Sequence, residues 1–368
     1  MSKKESPLYH LIVITMFVGI LLTCAIFYIT SATLGSEAEQ AERCYDGSDI
    51  TSGLFADFRR AIYQNESTLT RVRAHQYRVF DVVHDKNVIA GADDFLFEVE
   101  DEDNDYNFLR DYLGEEQFSD AECAAIMKEL QKRKDLYAAR GAEYYLVILP
   151  NVQTVYSDKM PVYLGEPRKT RLDGLDEYLL ANGFTNYANL TDEMVTYKSQ
   201  GVLYNNTENS LNALGMYYVY RCVCDRFSDD LMAKTRILTR RELTFYYHLR
   251  TGKAVARRAG LSDVVQNLTV SLSNSTKLNY YKRSGGLVTE TTILPFEGNF
   301  TAPQTPSLLL QFSSAWEALQ AEPLFSNTFS HVTYQTNLAD NAEIYASAEP
   351  DVVIQFIYEN QLSWLLPD

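Results

Sequence analysis

The chain has 368 residues, 46% of them hydrophobic and 22% charged, which is ample apolar material for one large globular core or two modest ones. A formal net charge of −16 and a sequence pI near 4.8 argue against nucleic acid or an anionic membrane surface as the partner, because both repel an acidic face. The 26 tyrosines read first as half-buried core residues and second as platforms for sugar rings.

Residues 9–30 form an uncharged apolar run preceded by Lys3 and Lys4. As a helix it would span about 33 Å, enough for a bilayer core. The leading lysines predict that the amino-terminal tail, residues 1–8, stays cytoplasmic. An uncleaved signal anchor is favoured over a cleaved signal peptide, whose apolar region is usually shorter. In both cases the rest of the chain lies outside the cytoplasm, and the membrane is contacted through residues 9–30. Residues 31–81 are polar and helix-prone, the pattern of a stalk ahead of a domain at 82–368.

Within that domain, Val88 to Phe97 has a central turn signal and an apolar end, as in a hairpin, and the acidic stretch from Glu98 to Asp105 reads as a solvated loop. Ser119-Asp120-Ala121-Glu122 is a capping box opening a helix that stops at Gly141. Tyr144–Leu149 reads as a buried strand ending at Pro150, Thr170–Asn182 as a second helix closed by Gly183, and Phe184–Leu190 as the next strand. Asn209 or Ser210 suits the N-cap of a third helix holding Leu214, Tyr218 and Cys222. Residues 238–300 interrupt the alternation with an insertion containing a hairpin around Ser284-Gly285-Gly286. A strand at Ser307–Phe312, a helix from Ser314 and strands near His331–Gln335 and Asp351–Ile357 complete the chain. Such alternation predicts an α/β fold with a parallel, doubly wound sheet, whose ligands sit outside the carboxyl ends of the strands. That edge would hold Asn151, Asn189 and the stretch from Tyr204 to Ser210.

The cysteines point to no metal spacing and no cofactor. Cys222 and Cys224 are two apart on a helix and face different directions, whereas Cys44 and Cys123 are free to pair. Asn267-Leu268-Thr269 is one of several glycosylation sequons.

Five stretches in order carry a resemblance to a known family. They are Gly91-Ala92-Asp93-Asp94-Phe95-Leu96-Phe97, then Pro150-Asn151 through Tyr156 with Met160-Pro161, and Glu208 through Gly215. The strand and turn from Leu308 to Ala315 and Pro350-Asp351-Val352-Val353 with Glu359-Asn360 follow. Together they resemble the alginate O-acetyltransferase-like, DHHW-motif branch of the SGNH hydrolase superfamily, over about residues 82 to 368. The resemblance implies a three-layer α/β/α domain and a serine that attacks an acetyl ester, with a histidine to deprotonate it and an aspartate to orient the histidine. It places Ser314 at the nucleophile, Ser210 at the histidine and Glu208 at the aspartate, with Asn151, Asn212 and Tyr204 as substrate contacts. A serine at the histidine position cannot act as a base near neutral pH. Ser314-Ala315-Trp316-Glu317 also reads as a capping box, so Ser314 has a purely structural reading as well. His75, His84, His248 and His331 are the histidines outside the apolar run.

The expected protein is therefore a membrane-anchored, extracytoplasmic, catalytically degenerate relative. Its expected partner is a cell-surface polysaccharide or a membrane-bound acyltransferase. An active O-acetyltransferase or esterase using Ser314, and a structural spacer of the envelope, are the alternatives.

Overall fold

The computed structural model describes residues 66–273, 282–283, 294–297, 306–313, 315–336, 338 and 342–367. The apolar run at residues 9–30 and the greater part of the expected stalk lie outside them. Among the described residues no helix is long and apolar enough to cross a membrane. The chain divides at Phe80 into two compact units. The described part of the first is a single helix, α1 (Glu66–Phe80).

The second unit opens with the expected hairpin, β1 (Val88–Ala90) against β2 (Leu96–Glu98). Its turn is closed by Phe95 N–H donating to Ala92 O, and both central residues, Asp93 and Asp94, have positive φ, as the right-handed twist of a tight hairpin requires. The acidic stretch that follows is folded rather than merely solvated. β3 (Glu100–Asp101) pairs with β4 (Tyr106–Asn107) across a short helical turn.

α2 (Asp120–Ala139) begins on the Ser119/Glu122 capping box and stops where Gly141 takes a φ of +84°. β5 (Glu143–Leu149) follows. α3 (Arg171–Ala181) is capped by Thr170 and Asp173. β6 is shorter than the sequence pattern suggests, running only from Tyr187 to Asn189. α4 (Ala213–Cys224) starts later than expected, on Asn212, whose Oδ1 accepts from the N–H groups of Leu214 and Gly215. Neither Asn209 nor Ser210 caps it, because a tight turn in which Ser210 N–H donates to Glu208 O keeps both outside the helix.

The insertion contains a long hairpin, β7 (Phe245–Thr251) with β8 (Gln266–Leu272), and the short helix Ala254–Arg258 between its strands. β9 (Lys282–Arg283) and β10 (Leu294–Glu297) pair antiparallel, and Ser284-Gly285-Gly286, where the sequence predicts the turn of a hairpin, lie outside the described residues. β11 (Ser307–Phe312), α5 (Ala315–Phe325), β12 (His331–Gln335) and β13 (Val352–Tyr358) complete the unit.

The sheet order is β6-β5-β13-β11-β12-β10-β9. The first five strands are parallel and the insertion adds an antiparallel edge. β13 sits at the centre of the parallel set, and all seven of its residues are buried, as expected of a strand covered on both faces. Alternate side chains feed two cores. Tyr144, Leu146 and Ile148 pack with Ile126 and Leu130 of α2 and with Leu175 of α3 on one face. Val147 and Leu149 pack with α4 and α5 on the other. Helices on both faces make the three-layer arrangement.

One polar row crosses this apolar sheet. Gln355, Gln311 and Gln335 lie opposite one another on β13, β11 and β12. Gln355 Nε2 donates to Gln311 Oε1 at 2.5 Å, and Gln311 Nε2 to Gln335 Oε1 at 2.9 Å. Tyr144 Oη donates to Gln355 Oε1 from β5. Cys123, Cys222 and Cys224 are buried free thiols, and Cys44, read as a possible partner of Cys123, lies outside the described residues.

Candidate functional site

The carboxyl ends of β5 and β13 converge on a cleft of about 430 Å³. Asn151 comes from the end of β5, Tyr358 and Asn360 from the end of β13, and Tyr204, Glu208, Asn209 and Ser210 from the loop before α4. Glu317 projects from the first turn of α5, and Glu98, Asp101 and Asn104 come from the folded acidic stretch. This is the position expected for a ligand site in an open parallel sheet.

The loop that carries Glu208 and Ser210 is held from several sides. Its ends meet in an isolated bridge between Tyr204 and Leu211, and Asn205 N–H donates to Ser210 O. Tyr204 Oη donates to Pro150 O at 2.6 Å, and Leu203 N–H donates to Tyr156 Oη at 2.9 Å. The two motifs read at 150–156 and 208–215 thus meet in space. Gly215 makes this possible, since a Cβ there would stand 2.2 Å from Leu203 O.

The insertion forms one wall. Asn206 Nδ2 donates to Gln266 O, and Leu268 N–H donates to Asn206 Oδ1. Asn267 is fully buried, donating to Asn205 and Thr269 while accepting from Thr207. The sequon beginning there is therefore closed to glycosylation. Val255 and Arg258 of the short insertion helix line the cleft, which extends over this edge of the site.

At the place of the family's Asp-x-His, Glu208 Oε2 accepts from Lys253 Nζ at 2.9 Å and from Ser210 Oγ at 3.1 Å. Ser210 Oγ itself accepts from Asn205 Nδ2 at 2.9 Å. A serine hydroxyl has neither the basicity nor the reach of an imidazole. Among the described residues no histidine lines the cleft. His331 begins β12, at the opposite end of the strands, and His248 lies on the exposed β7. Ser314 lies outside the described residues.

Two expected contacts are otherwise engaged. Asn212 is buried, with Oδ1 capping α4 and Nδ2 donating to Val202 O at 2.7 Å, so no polar atom of it is left for a ligand. Tyr204 reaches the cleft with its ring while its hydroxyl is committed to Pro150. Asn151 lines the cleft and is buried. Its N–H donates to Glu359 Oε2 at 2.7 Å and its Nδ2 to Tyr106 Oη at 3.1 Å.

The residue that the sequence pattern placed elsewhere is Glu317. Ser314, its expected capping partner, lies outside the described residues. Glu317 Oε1 accepts from Tyr358 Oη at 2.8 Å, while its Oε2 is buried with no hydrogen-bond partner. Burial raises its carboxyl to about 7, and the nearby Glu208 charge adds to the rise, against the Tyr358 hydrogen bond. Burial also raises the carboxyl of Glu98, against the opposing effect of Arg258, which pairs with it at 2.5 Å. Among the described residues no three His, Cys, Asp or Glu side chains are grouped to hold a metal ion. The signal that would have found Glu317 is its place three residues into a helix at the carboxyl end of a central strand, where either a cap or a site residue fits.

No protein-family model matches the sequence, and a search of curated proteins finds no match. Solved structures do match. Bacillus cereus PatB1 is 13% identical with a TM-score of 0.53, covering 76% of this chain and 97% of that one. A DHHW family protein from Eubacterium siraeum is 10% identical with a TM-score of 0.52, covering 76% and 96%. At such identities the likeness speaks to fold. The chain shares the α/β fold of these two structures, in line with the fold that its five stretches implied.

Proposed function

We propose that this is an extracytoplasmic glycan-binding protein built on the SGNH-like fold, anchored through residues 9–30, in which the serine-histidine-aspartate chemistry of the resembled family has lapsed. The observation that carries this reading is the closed network at the family's base position. Glu208 and Ser210 are bonded to Lys253, to Asn205 and to each other, and no imidazole is among the described residues lining the cleft. A serine nucleophile without a base loses orders of magnitude in rate. The cleft has nevertheless stayed open, and Tyr204, Tyr358, Asn104, Asn151, Asn209 and Asn360 give it the mixture of rings and amides that suits a sugar. A cell-surface polysaccharide is the ligand proposed, and a membrane-bound acyltransferase is a partner that the same display would serve.

The test is acetyl-ester hydrolysis by the purified full chain beside Ser314→Ala, together with retention on immobilised polysaccharides. Equal hydrolysis by the two proteins, with glycan retention, is expected. Turnover that disappears in Ser314→Ala would overturn the degenerate reading.

A further inference from the structure

The cleft is short of donors. Among the described residues three oxygens of its lining are buried without a partner, Glu317 Oε2, Asn209 Oδ1 and Asn104 Oδ1, and all three are acceptors. Its charge has the same sense. Among the described residues six carboxylates line it, those of Glu98, Asp101, Glu102, Asp103, Glu208 and Glu317, against one guanidinium, that of Arg258. Arg258 is already paired with Glu98, and the neighbouring Lys253 with Glu208. Glu317, only 4% exposed, lines this space and has one carboxyl oxygen with no hydrogen-bond partner.

A ligand that satisfies such a lining brings N–H and O–H groups and positive charge. A uronate or phosphate would meet like charge. An N-acetylated sugar would supply hydroxyls and leave Glu317 without a counter-charge. We infer that the cleft takes a glycan bearing free, protonated amino groups, a hexosamine without its N-acyl substituent, with the ammonium donating to Glu317 Oε2 and hydroxyls donating to Asn209 and Asn104. This rests on the glycan-binding reading and narrows it to a cationic class.

The groups facing Glu317 are the hydroxyl of Tyr358, which donates to it, and Glu208 and Tyr204 of the loop before α4. In the free protein Glu317 is held protonated up to about pH 7 by burial and by Glu208. Seating an ammonium on it expels that proton, so binding near neutral pH releases a proton to the buffer.

The experiment is isothermal titration of the full chain at pH 7 with a β-1,4-glucosamine hexamer, its fully N-acetylated counterpart and a hexagalacturonate, in two buffers of different ionisation heat. The amine hexamer is expected to bind at least tenfold tighter than the acetylated one with proton release, and the uronate not at all. Glu317→Gln should lose at least tenfold for the amine hexamer only, together with the proton release. Lys253→Gln, which leaves Glu208 without its lysine, should tighten the amine hexamer severalfold and tests the same field should Glu317→Gln fail to fold. Equal binding of the amine and acetylated hexamers, or an unchanged amine affinity in both variants, overturns the inference and leaves the glycan reading standing. Binding of no oligosaccharide of any charge overturns both.

Discussion

The backbone N–H of Asn151 donates to the carboxyl of Glu359 across 2.7 Å, so one buried side chain ties together the carboxyl ends of two neighbouring parallel strands. Thr154 donates to the same oxygen at 2.9 Å. Burial raises the Glu359 carboxyl, and the nearby Asp111 adds to the rise. Glu317, across the cleft, is raised to about 7. Both groups ionise in the unfolded chain near 4.5 and in the fold only at higher pH. Over that window the folded state holds the extra protons, so stability falls as pH rises from about 4.5 to 7. The melting temperature should be higher at pH 5 than at pH 7.5 by roughly 5 °C. Glu317→Gln should flatten that profile, measured by calorimetry across the range. A melting temperature that rises over the same interval would contradict the assignment.

Asn212 serves α4 rather than a ligand. Asn212→Ala removes the acceptor for Leu214 and Gly215 N–H and the donor to Val202 O. The loss should be about 2–3 kcal/mol of stability, read from the denaturant midpoint, with the glycan affinity of the remaining folded protein little changed.

Gly215 is the contact point between α4 and the strand-like segment before it. Gly215→Ala places a methyl group 2.2 Å from Leu203 O. Backbone cannot retreat there without moving the site loop. The expected result is a cost of roughly 3 kcal/mol or more, visible as a fall in soluble yield and in melting temperature.

Asp94 takes a φ of +60° in the hairpin turn, where glycine is free of strain. Asp94→Gly relieves the left-handed conformation and keeps the Asp94 carbonyl that accepts from Asn206 Nδ2. A gain of about 0.5–1 kcal/mol in unfolding free energy is expected. A loss would show that the Asp94 side chain contributes more than the strain costs.

The glutamine row is an all-or-none device. Gln355→Leu leaves Gln311 and Tyr144 with broken hydrogen bonds inside the sheet, at a cost of about 2–4 kcal/mol. Adding Gln311→Leu should cost less than the sum of the two single changes, since the second removes a group the first had already orphaned. A double-mutant cycle in urea measures this coupling.

How far the residues disclose these relations depends on range. The capping box at Ser119, the hairpin at Val88–Glu98 and the strand β13 depend on neighbours within a few positions, and local pattern reveals them. The Glu208/Ser210 position was legible through its motif. The start of α4 was not, because Asn209, Ser210 and Asn212 are all good caps and only the bridge from Tyr204 to Leu211 selects among them. Glu317, Tyr358, Arg258 and Glu98 come to one cleft from segments as far apart as 98 and 358, a convergence that no periodicity encodes. Charge runs are usually solvated, whereas this acidic stretch folds back, and Asp101 accepts from Asn360 Nδ2 at 2.7 Å.

The middle of the parallel sheet is occupied by the strand that comes last in the chain. Until β13 is available, β5 with β6 and β11 with β12 are two separate ribbons, each with an open edge. A growing polypeptide therefore stays without a continuous sheet until nearly all of residues 81–368 has been made, and the nascent chain must keep those edges apart from other chains for that whole interval. Termination a few residues before Val352 would leave the two ribbons with nothing to join them, however complete the rest of the domain.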